Sequence, residues 1–279
     1  MRSHLWTATL VVTTLLAGAA PAASQPDTTP SSPVVLSLEE MEQFLLNAKV
    51  GRTIKVSKGV TKARQVSMSD GRITHDAQIQ DVNIEKPLFE VDAKHTEINF
   101  KDLFRYNIAA YRLSRLLGLD NVPMSVERTV DGKPAAVTWW LDDVAMEEGD
   151  RVKKKIEGNP IRRRNYFSVM LAFDELIQNR DRNGGNILWS KDWKMWMIDH
   201  TRAFRLGKEL LQPKNLNTID RGFLDRMREL TRPAVAEAVG KSLTAAEIDA
   251  LLIRRDLIVK LFDQKIAAQG QAAVLFTLF

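Results

Sequence analysis

The feature that most constrains the fold is a change in hydrophobic periodicity along the chain. Three early segments alternate apolar and polar side chains as half-buried β-strands do: residues 53–56, 64–68 and 73–82. Residues 101–119 instead repeat apolar side chains at helical spacing and have Gly118 near their end as a stop signal. A predicted hairpin over Asp131-Gly132 follows. Three strands, a helix and two strands predict an N-terminal lobe of the α+β type.

The chain beyond Trp140 is predicted to be mostly helical. A helix is expected over residues 165–178, and further helices over most of residues 220–269. Between them, residues 187–189 and 195–198 form a predicted short hairpin. The sequence therefore predicts an α+β fold with two lobes, a β-rich lobe over residues 37–141 and a helical lobe over residues 142–279.

Composition excludes several classes of site. The 279 residues include no cysteine, which rules out disulfides, thiolate metal sites and cysteine nucleophiles. The four histidines are scattered without helical spacing, so a zinc site is not expected. The net charge of +5 fits acidic ligands such as phosphates without identifying one, and we expect no nucleic-acid partner.

The N-terminal residues have the pattern of a secretory signal. Arg2 precedes an apolar stretch over residues 5–20, and Ala20-Pro21-Ala22 is a small-x-small cleavage site. The alternative is an uncleaved anchor, but the apolar stretch is shorter than the ~20 residues that span a bilayer. We expect a signal peptide over residues 1–23, a disordered tether over residues 24–36, and an exported, periplasmic or secreted protein without an integral membrane domain after cleavage.

Two short segments, residues 179–188 and 197–200, carry the most specific chemical signal. Asp181 and Asn186 are five residues apart, and Asp199 follows Asn186 by thirteen. Phosphoryl transfer needs a carboxylate to accept the proton of the attacking hydroxyl, and hard oxygen ligands that place Mg²⁺ against the phosphates. A hairpin between Asn186 and Asp199 brings these two residues together. The alternative is a polar loop in which Asp181 caps a helix and Asp199 lies in a solvated turn.

The Asp-Arg-x-x-x-Asn loop from Asp181 to Asn186, followed by Ile198-Asp199, resembles the catalytic core of the atypical branch of the protein-kinase-like superfamily. This branch includes the phosphoinositide 3- and 4-kinases, HipA-like kinases and secretory-pathway kinases. His200-Thr201 stands where typical kinases have Phe-Gly. Residues 108–119 and Val122-Pro123 are similar to the first long helix and following strand of bacterial members. The resemblance implies a two-lobed protein-kinase-like fold.

The resemblance also implies roles for individual residues. Asp181 corresponds to the catalytic base, and Asn186 and Asp199 to ligands of Mg²⁺ bound with ATP. Trp140 leads into the hinge between lobes where adenine lies, and Gly59 is in the only candidate phosphate-covering turn. Gln80 stands where these kinases have a phosphate-binding lysine.

Two departures affect the expected activity. Gln80 supplies no positive charge, and Asn107 occupies the helix position where related sequences tend to have glutamate. A substitute cation from another strand remains open, with four candidates: Lys55, Lys58, Lys62 and Lys86.

Three hypotheses follow from the sequence. The first is an exported kinase that transfers a phosphoryl group from Mg-ATP to an unidentified hydroxyl acceptor. The second is a pseudokinase that binds nucleotide or acts as a scaffold, which Gln80 and Asn107 favour. The third is an envelope protein of unrelated fold with a chance motif. Because ATP is scarce outside a bacterial membrane, the first requires a host compartment, an uncleaved topology or another donor. We expect a monomer.

Overall fold

The computed structural model describes residues 36–56, 63–92 and 95–279. The predicted signal peptide, the tether up to residue 35, Gly59, Lys58 and Lys62 lie outside these ranges. Residues Leu36–Phe279 form one compact unit. No helix among the described residues is long and apolar enough to cross a membrane.

The described chain begins with a capped helix that leads into an antiparallel sheet. In α1 (Leu38–Asn47), the Glu40 N–H donates to Ser37 Oγ over 3.1 Å, and the Ser37 N–H donates to Glu40 Oε2 over 2.9 Å. This capping box satisfies two of the N–H groups that helix formation leaves without partners. The sheet that follows has five antiparallel strands in the order β1-β2-β3-β7-β6. Its strands are β1 (Lys49–Val56), β2 (Arg64–Ser69), β3 (Thr74–Gln80), β6 (Ser125–Val130) and β7 (Lys133–Trp139).

A two-stranded hairpin between the third strand and the long helix corrects the predicted helix start. Strands β4 (Asn83–Asp92) and β5 (His95–Leu103) pair with each other, and α2 spans Arg105–Leu116 rather than starting at Lys101. The end of β5 is held by distant partners, since the Leu103 N–H donates to Thr201 O over 2.9 Å and the Phe104 N–H donates to Val82 O over 2.7 Å. The hydrogen bond to Thr201 satisfies the backbone of Leu103 in the extended conformation of β5, although the apolar spacing of residues 101–119 predicts a helix.

The C-terminal half is helical, with a small three-stranded sheet of order β10-β9-β8. Its main helices are α3 (Glu148–Lys153), α4 (Pro160–Ile177), α5 (Arg221–Glu229), α6 (Arg232–Val239), α7 (Ala245–Gln269) and α8 (Gln271–Val274). Its strands are β8 (Val144–Glu147), β9 (Ile187–Ser190), β10 (Met195–Met197), and the parallel pair β11 (Ile219–Asp220) and β12 (Leu275–Phe276). The predicted β9–β10 hairpin is present, whereas α4 begins five residues before the predicted Asn165 because Asn159 caps it and Pro160 occupies its first turn.

A buried carboxylate links the α2 side of the N-terminal region to the long C-terminal helix. Glu247, on the first turn of α7, has a fully buried side chain. Its Oε1 accepts a hydrogen bond from Tyr106 Oη over 2.5 Å and from Lys101 Nζ over 2.8 Å, and its Oε2 accepts one from the Thr244 N–H over 2.8 Å. Burial acts to raise the pKa of Glu247, but these hydrogen bonds outweigh it and hold the pKa below its usual range.

Replacing Glu247 by Gln keeps the side-chain shape but removes the charge that holds Lys101. We expect Glu247→Gln to lower the free energy of unfolding at neutral pH by about 1–3 kcal/mol, measured by urea denaturation. Because the folded pKa is lowered, the carboxylate's contribution is present at neutral pH and lost on acidification. The gap between wild type and variant should therefore narrow below about pH 4. Exposed Glu229→Gln is the control, and an equal cost for both substitutions contradicts the role of Glu247.

Candidate functional site

A cavity of about 740 Å³ opens between the five-stranded sheet and the helical half. Its walls include the last residue of β7 and the segment that follows it, from Trp139 to Asp142, and Met197 at the end of β10 with Asp199 just beyond. Cavities of this size hold nucleotide-sized ligands.

One cross-strand row of the sheet forms part of the cavity wall. Lys55 lies opposite Gln65, Gln65 opposite Gln78, Gln78 opposite Thr138, and Thr138 opposite Ser125. Residues directly opposite each other in an antiparallel sheet share a face. The row therefore presents its side chains to one side, and four of its five members line the cavity: Lys55, Gln78, Thr138 and Ser125.

The segment that joins the two halves contains Trp140, predicted to contact adenine. Trp140 lines the cavity, and its N–H donates to Asp76 O on β3 over 3.2 Å. The preceding Trp139 stacks on His75 with ring centroids 3.8 Å apart. The segment is thus fixed against β3, and its aromatic side chains form an edge of the cavity.

The catalytic loop predicted over residues 179–188 follows α4 directly. Asn179 Oδ1 accepts a hydrogen bond from the Asp181 N–H over 3.1 Å, and Asn186 Nδ2 donates to Asp181 O over 3.1 Å. A Cβ at Gly184 would lie 3.0 Å from the backbone nitrogen of Gly149 in α3, so a side chain there would require the α3 backbone to shift. Hydrogen bonds from its own amide side chains therefore hold the loop, and its backbone packs closely against α3.

Arg182 ties the loop to the segment that contains Asp199. Its buried guanidinium donates twice to Asp174, over 2.9 Å each, and also donates to Asn186 O over 2.9 Å and Ile198 O over 2.7 Å. Arg182 Nη2 lies 3.0 Å from His200 Nε2, which must accept because a guanidinium only donates. Burial, and then the charge of Arg182, hold the pKa of His200 well below its usual range, so the ring is neutral.

Asp199 lines the cavity in the left-handed backbone region, with φ of 54°. Its Oδ1 accepts a hydrogen bond from Thr201 Oγ1 over 3.0 Å. Burial raises the pKa of Asp199, and the charge of Asp181 raises it further. The Ile198 N–H donates to Asn186 O over 3.2 Å, so Asn186 and Asp199 lie at neighbouring ends of the β9–β10 hairpin, as predicted.

Asp181 is partly exposed, with 41% of its side chain accessible. Arg202 Nη1 lies 3.5 Å from Asp181 Oδ2. The guanidinium of Arg202 also lies over the ring of Phe100, 5.0 Å from its centroid. A carboxylate that is accessible to this extent can meet the hydroxyl of an incoming acceptor.

The donor set of this site suits a hard divalent cation. Asp199 provides a carboxylate, and Asn186 has its amide nitrogen committed to Asp181 O, which leaves the side-chain oxygen for a ligand. Among the residues that the structure describes, no three His, Asp or Glu side chains form a metal cluster. Two protein oxygens are nevertheless the number that Mg²⁺ commonly takes when it also binds phosphate and water.

The two departures identified in the sequence form a pair. Asn107 Nδ2 on α2 donates to Gln80 Oε1 at the end of β3 over 2.7 Å, and both side chains are buried. Asn107 Oδ1 accepts a hydrogen bond from the His200 N–H over 2.8 Å. Asn107 lines the cavity, whereas Gln80 is not among the lining residues. A neutral amide pair therefore joins β3, α2 and the residue after Asp199.

The sequence reasoning missed Asp102 because it assigned that position to a helix. Asp102, on β5, is 5% exposed, and its Oδ1 has no hydrogen-bond partner among the described residues. Burial raises the pKa of Asp102, and the charge of Asp199 contributes to the rise. This third carboxylate near Asp199 could be located only after the β4–β5 hairpin was known, since nothing in its local pattern sets it apart.

No protein-family model matches the chain, and no curated protein matches it in sequence. Solved structures do match in fold. Hydra Fam20, solved with a sugar, has a TM-score of 0.63 and 14% identity over 86% of this chain and 92% of its own. A Golgi casein kinase with Mn and ADP bound has a TM-score of 0.58 and 14% identity, over 85% of this chain and 78% of its own. The Helicobacter pylori proinflammatory kinase CtkA has a TM-score of 0.51 and 9% identity, over 81% and 98%.

These similarities confirm the predicted α+β class and the predicted protein-kinase-like fold. The chain has the protein-kinase-like fold, with a β-sheet N-terminal region and a helical C-terminal region. At 9–14% identity the comparison establishes the fold alone.

Asn107→Ala tests the junction between β3, α2 and His200. The substitution leaves Gln80 Oε1 and the His200 N–H without partners, and we expect it to lower the free energy of unfolding by about 2–5 kcal/mol. Gln80→Ala removes only one of the two hydrogen bonds and should cost less. Hydrogen exchange should show faster exchange of the His200 amide in Asn107→Ala than in Gln80→Ala. Equal exchange rates in the two variants contradict a positioning role for Asn107.

Proposed function

We propose that this protein is an exported kinase-like phosphotransferase that transfers the γ-phosphoryl group of Mg-ATP to a hydroxyl acceptor. The observation that carries the proposal is that Asp199 lines a nucleotide-sized cavity, while Asn186, which donates to Asp181 O, lies at the neighbouring end of the same hairpin. These residue types at this spacing are the ones that phosphoryl transfer requires.

Nucleotide binding is supported from two sides. The Trp139–Asp142 segment gives the cavity an aromatic edge, and Asp199 lies at the cavity wall. A solved structure of similar fold contains Mn and ADP, which supports a nucleotide and a divalent metal as ligands here. In the proposed complex the adenine contacts Trp140, and Asn186 and Asp199 hold the metal. Mg²⁺ would supply charge neutralisation between the β- and γ-phosphate oxygens.

The proposed reaction requires one proton acceptor. Asp181 accepts the proton of the acceptor's hydroxyl group. The oxygen of that hydroxyl forms a bond to the γ-phosphorus, and the bond from the γ-phosphorus to the β,γ-bridging oxygen breaks. ADP is released. Asp181 is accessible enough to meet a hydroxyl, and the hydrogen bonds of Asn179 and Asn186 to its backbone fix its position. Arg202 Nη1 lies 3.5 Å from the Asp181 carboxylate and forms an ion pair with it.

Export is proposed from the N-terminal sequence. Arg2, the apolar stretch and the Ala20-Pro21-Ala22 site support a cleaved signal over residues 1–23. The fold similarity to hydra Fam20 and a Golgi casein kinase is compatible with an extracytoplasmic kinase. A monomer remains the proposed oligomeric state.

A catalytically weak or inactive nucleotide-binding protein is the second candidate. The buried Gln80–Asn107 pair supports it, because a neutral amide pair replaces the charged pair that kinases use to bind the phosphates. The two candidates differ in turnover and share the nucleotide site, so binding and transfer must be measured separately.

Asp199→Asn tests the metal-nucleotide site. Asparagine tolerates the left-handed backbone of residue 199 and keeps an acceptor for Thr201, so the variant should fold. We expect Mg-ATP at a hundredfold excess over its dissociation constant to stabilise the wild type by about 2.7 kcal/mol and Asp199→Asn much less, measured as a thermal shift. Exposed Asp143→Asn, outside the cavity wall, should shift like the wild type. An Asp199→Asn shift as large as that of the wild type contradicts the proposed site.

Asp181→Asn separates binding from transfer. We expect this variant to keep the Mg-ATP thermal shift but to lose phosphoryl transfer by a factor of about 100 or more, because an amide does not accept the proton. Release of labelled phosphate from γ-labelled ATP, together with labelling of the protein itself, measures transfer without a known acceptor. Binding without any transfer in the wild type supports the inactive candidate and contradicts the kinase.

A further inference from the structure

The charge of the cavity wall is unbalanced for a nucleotide site. Four carboxylates line it: Asp142, Glu147, Asp150 and Asp199. Among the lining residues in the described part of the chain, Lys55 is the sole lysine or arginine. A triphosphate carries several negative charges, so a single bound metal leaves part of that charge uncompensated.

The third strand does not provide the missing cation. On β3, Gln80 contacts α2. Its side chain is neutral and accepts a hydrogen bond from Asn107. Of the alternative lysines that the structure describes, Lys86 lies over the ring of Phe89, 5.0 Å from its centroid, and is not a cavity residue. Lys101 is bound to Glu247. These lysines are therefore engaged elsewhere.

Lys55 is well placed to fill this role. It lies near the end of β1, on the row that continues through Gln78, Thr138 and Ser125 in the cavity wall. Its side chain is exposed, and it forms no hydrogen bond or ion pair with the rest of the described chain. A lysine ammonium on a flexible stem binds phosphate as a point charge and does not need the planar geometry of arginine.

We propose that Lys55, on β1, is the phosphate-binding residue of this cleft and takes the role that a lysine on β3 has in kinases. The inference rests on the proposed nucleotide site. In this arrangement the phosphate charge is contacted from the outer strand of the sheet, and the Gln80–Asn107 pair has the separate task of holding α2 and His200.

Lys55→Met tests the assignment in the purified full chain by calorimetric titration with Mg-ATP and with adenosine. We expect the variant to bind Mg-ATP about tenfold or more weakly, as the loss of a charged hydrogen bond predicts, and to bind adenosine as the wild type does. Lys49→Met is the matched control, because Lys49 is exposed on the same strand outside the cavity wall. It should leave both affinities unchanged.

The outcomes separate this inference from the proposed function. If the wild type binds Mg-ATP and Lys55→Met binds it equally well, or loses adenosine affinity to the same extent, the Lys55 assignment is overturned and the nucleotide site stands. If the wild type binds no Mg-ATP, both are overturned. Lys55→Gln is a second variant with a polar side chain, and it should show the same selective loss for Mg-ATP if Lys55→Met fails to fold.

Discussion

The organisation of the site depends on the buried ion pair between Arg182 and Asp174. An unpaired guanidinium at this depth would be strongly destabilising, and Asp174 on α4 provides two hydrogen bonds to it. The remaining donors of Arg182 reach Asn186 O, Ile198 O and His200 Nε2. One charged side chain therefore fixes the loop that contains Asp181 and the segment that contains Asp199, and the relative positions of the proposed base and metal ligands follow from it.

A second, neutral connection joins this centre to the sheet. Asn107 bonds both Gln80 on β3 and the His200 N–H, so the residue after Asp199 is held from the α2 side as well as by Arg182. The α2 helix is also attached to α7, because Tyr106 Oη on α2 donates a hydrogen bond to Glu247 on α7. Because amide pairs lose less hydration on burial than ions do, this junction is stable without a bound ligand.

The sequence predicted the local arrangement of the candidate site, namely a loop after a helix followed by a hairpin. One short loop and one hairpin join Asp181, Asn186 and Asp199. Their spacing in the sequence is therefore enough to predict that they lie near one another. The β4–β5 hairpin was missed because the backbone of Leu103 and Phe104 is held by Thr201 and Val82, which are distant in sequence. Asp102 was missed for the same reason. The Asn107–His200 hydrogen bond joins residues 93 positions apart, and no local pattern indicates such a contact.

A phosphate-binding lysine on β1 would change how the fold is regulated. In kinases that pair a β3 lysine with a helix glutamate, movement of the helix withdraws the lysine from the phosphates, so helix position controls activity. Here α2 is fixed to β3 and His200 by neutral hydrogen bonds, and to α7 through Glu247. A cation on β1 is independent of that helix. The position of β1 in the sheet would then determine whether Lys55 contacts the phosphates. The α2 helix would keep a fixed position and hold the segment that contains Asp199.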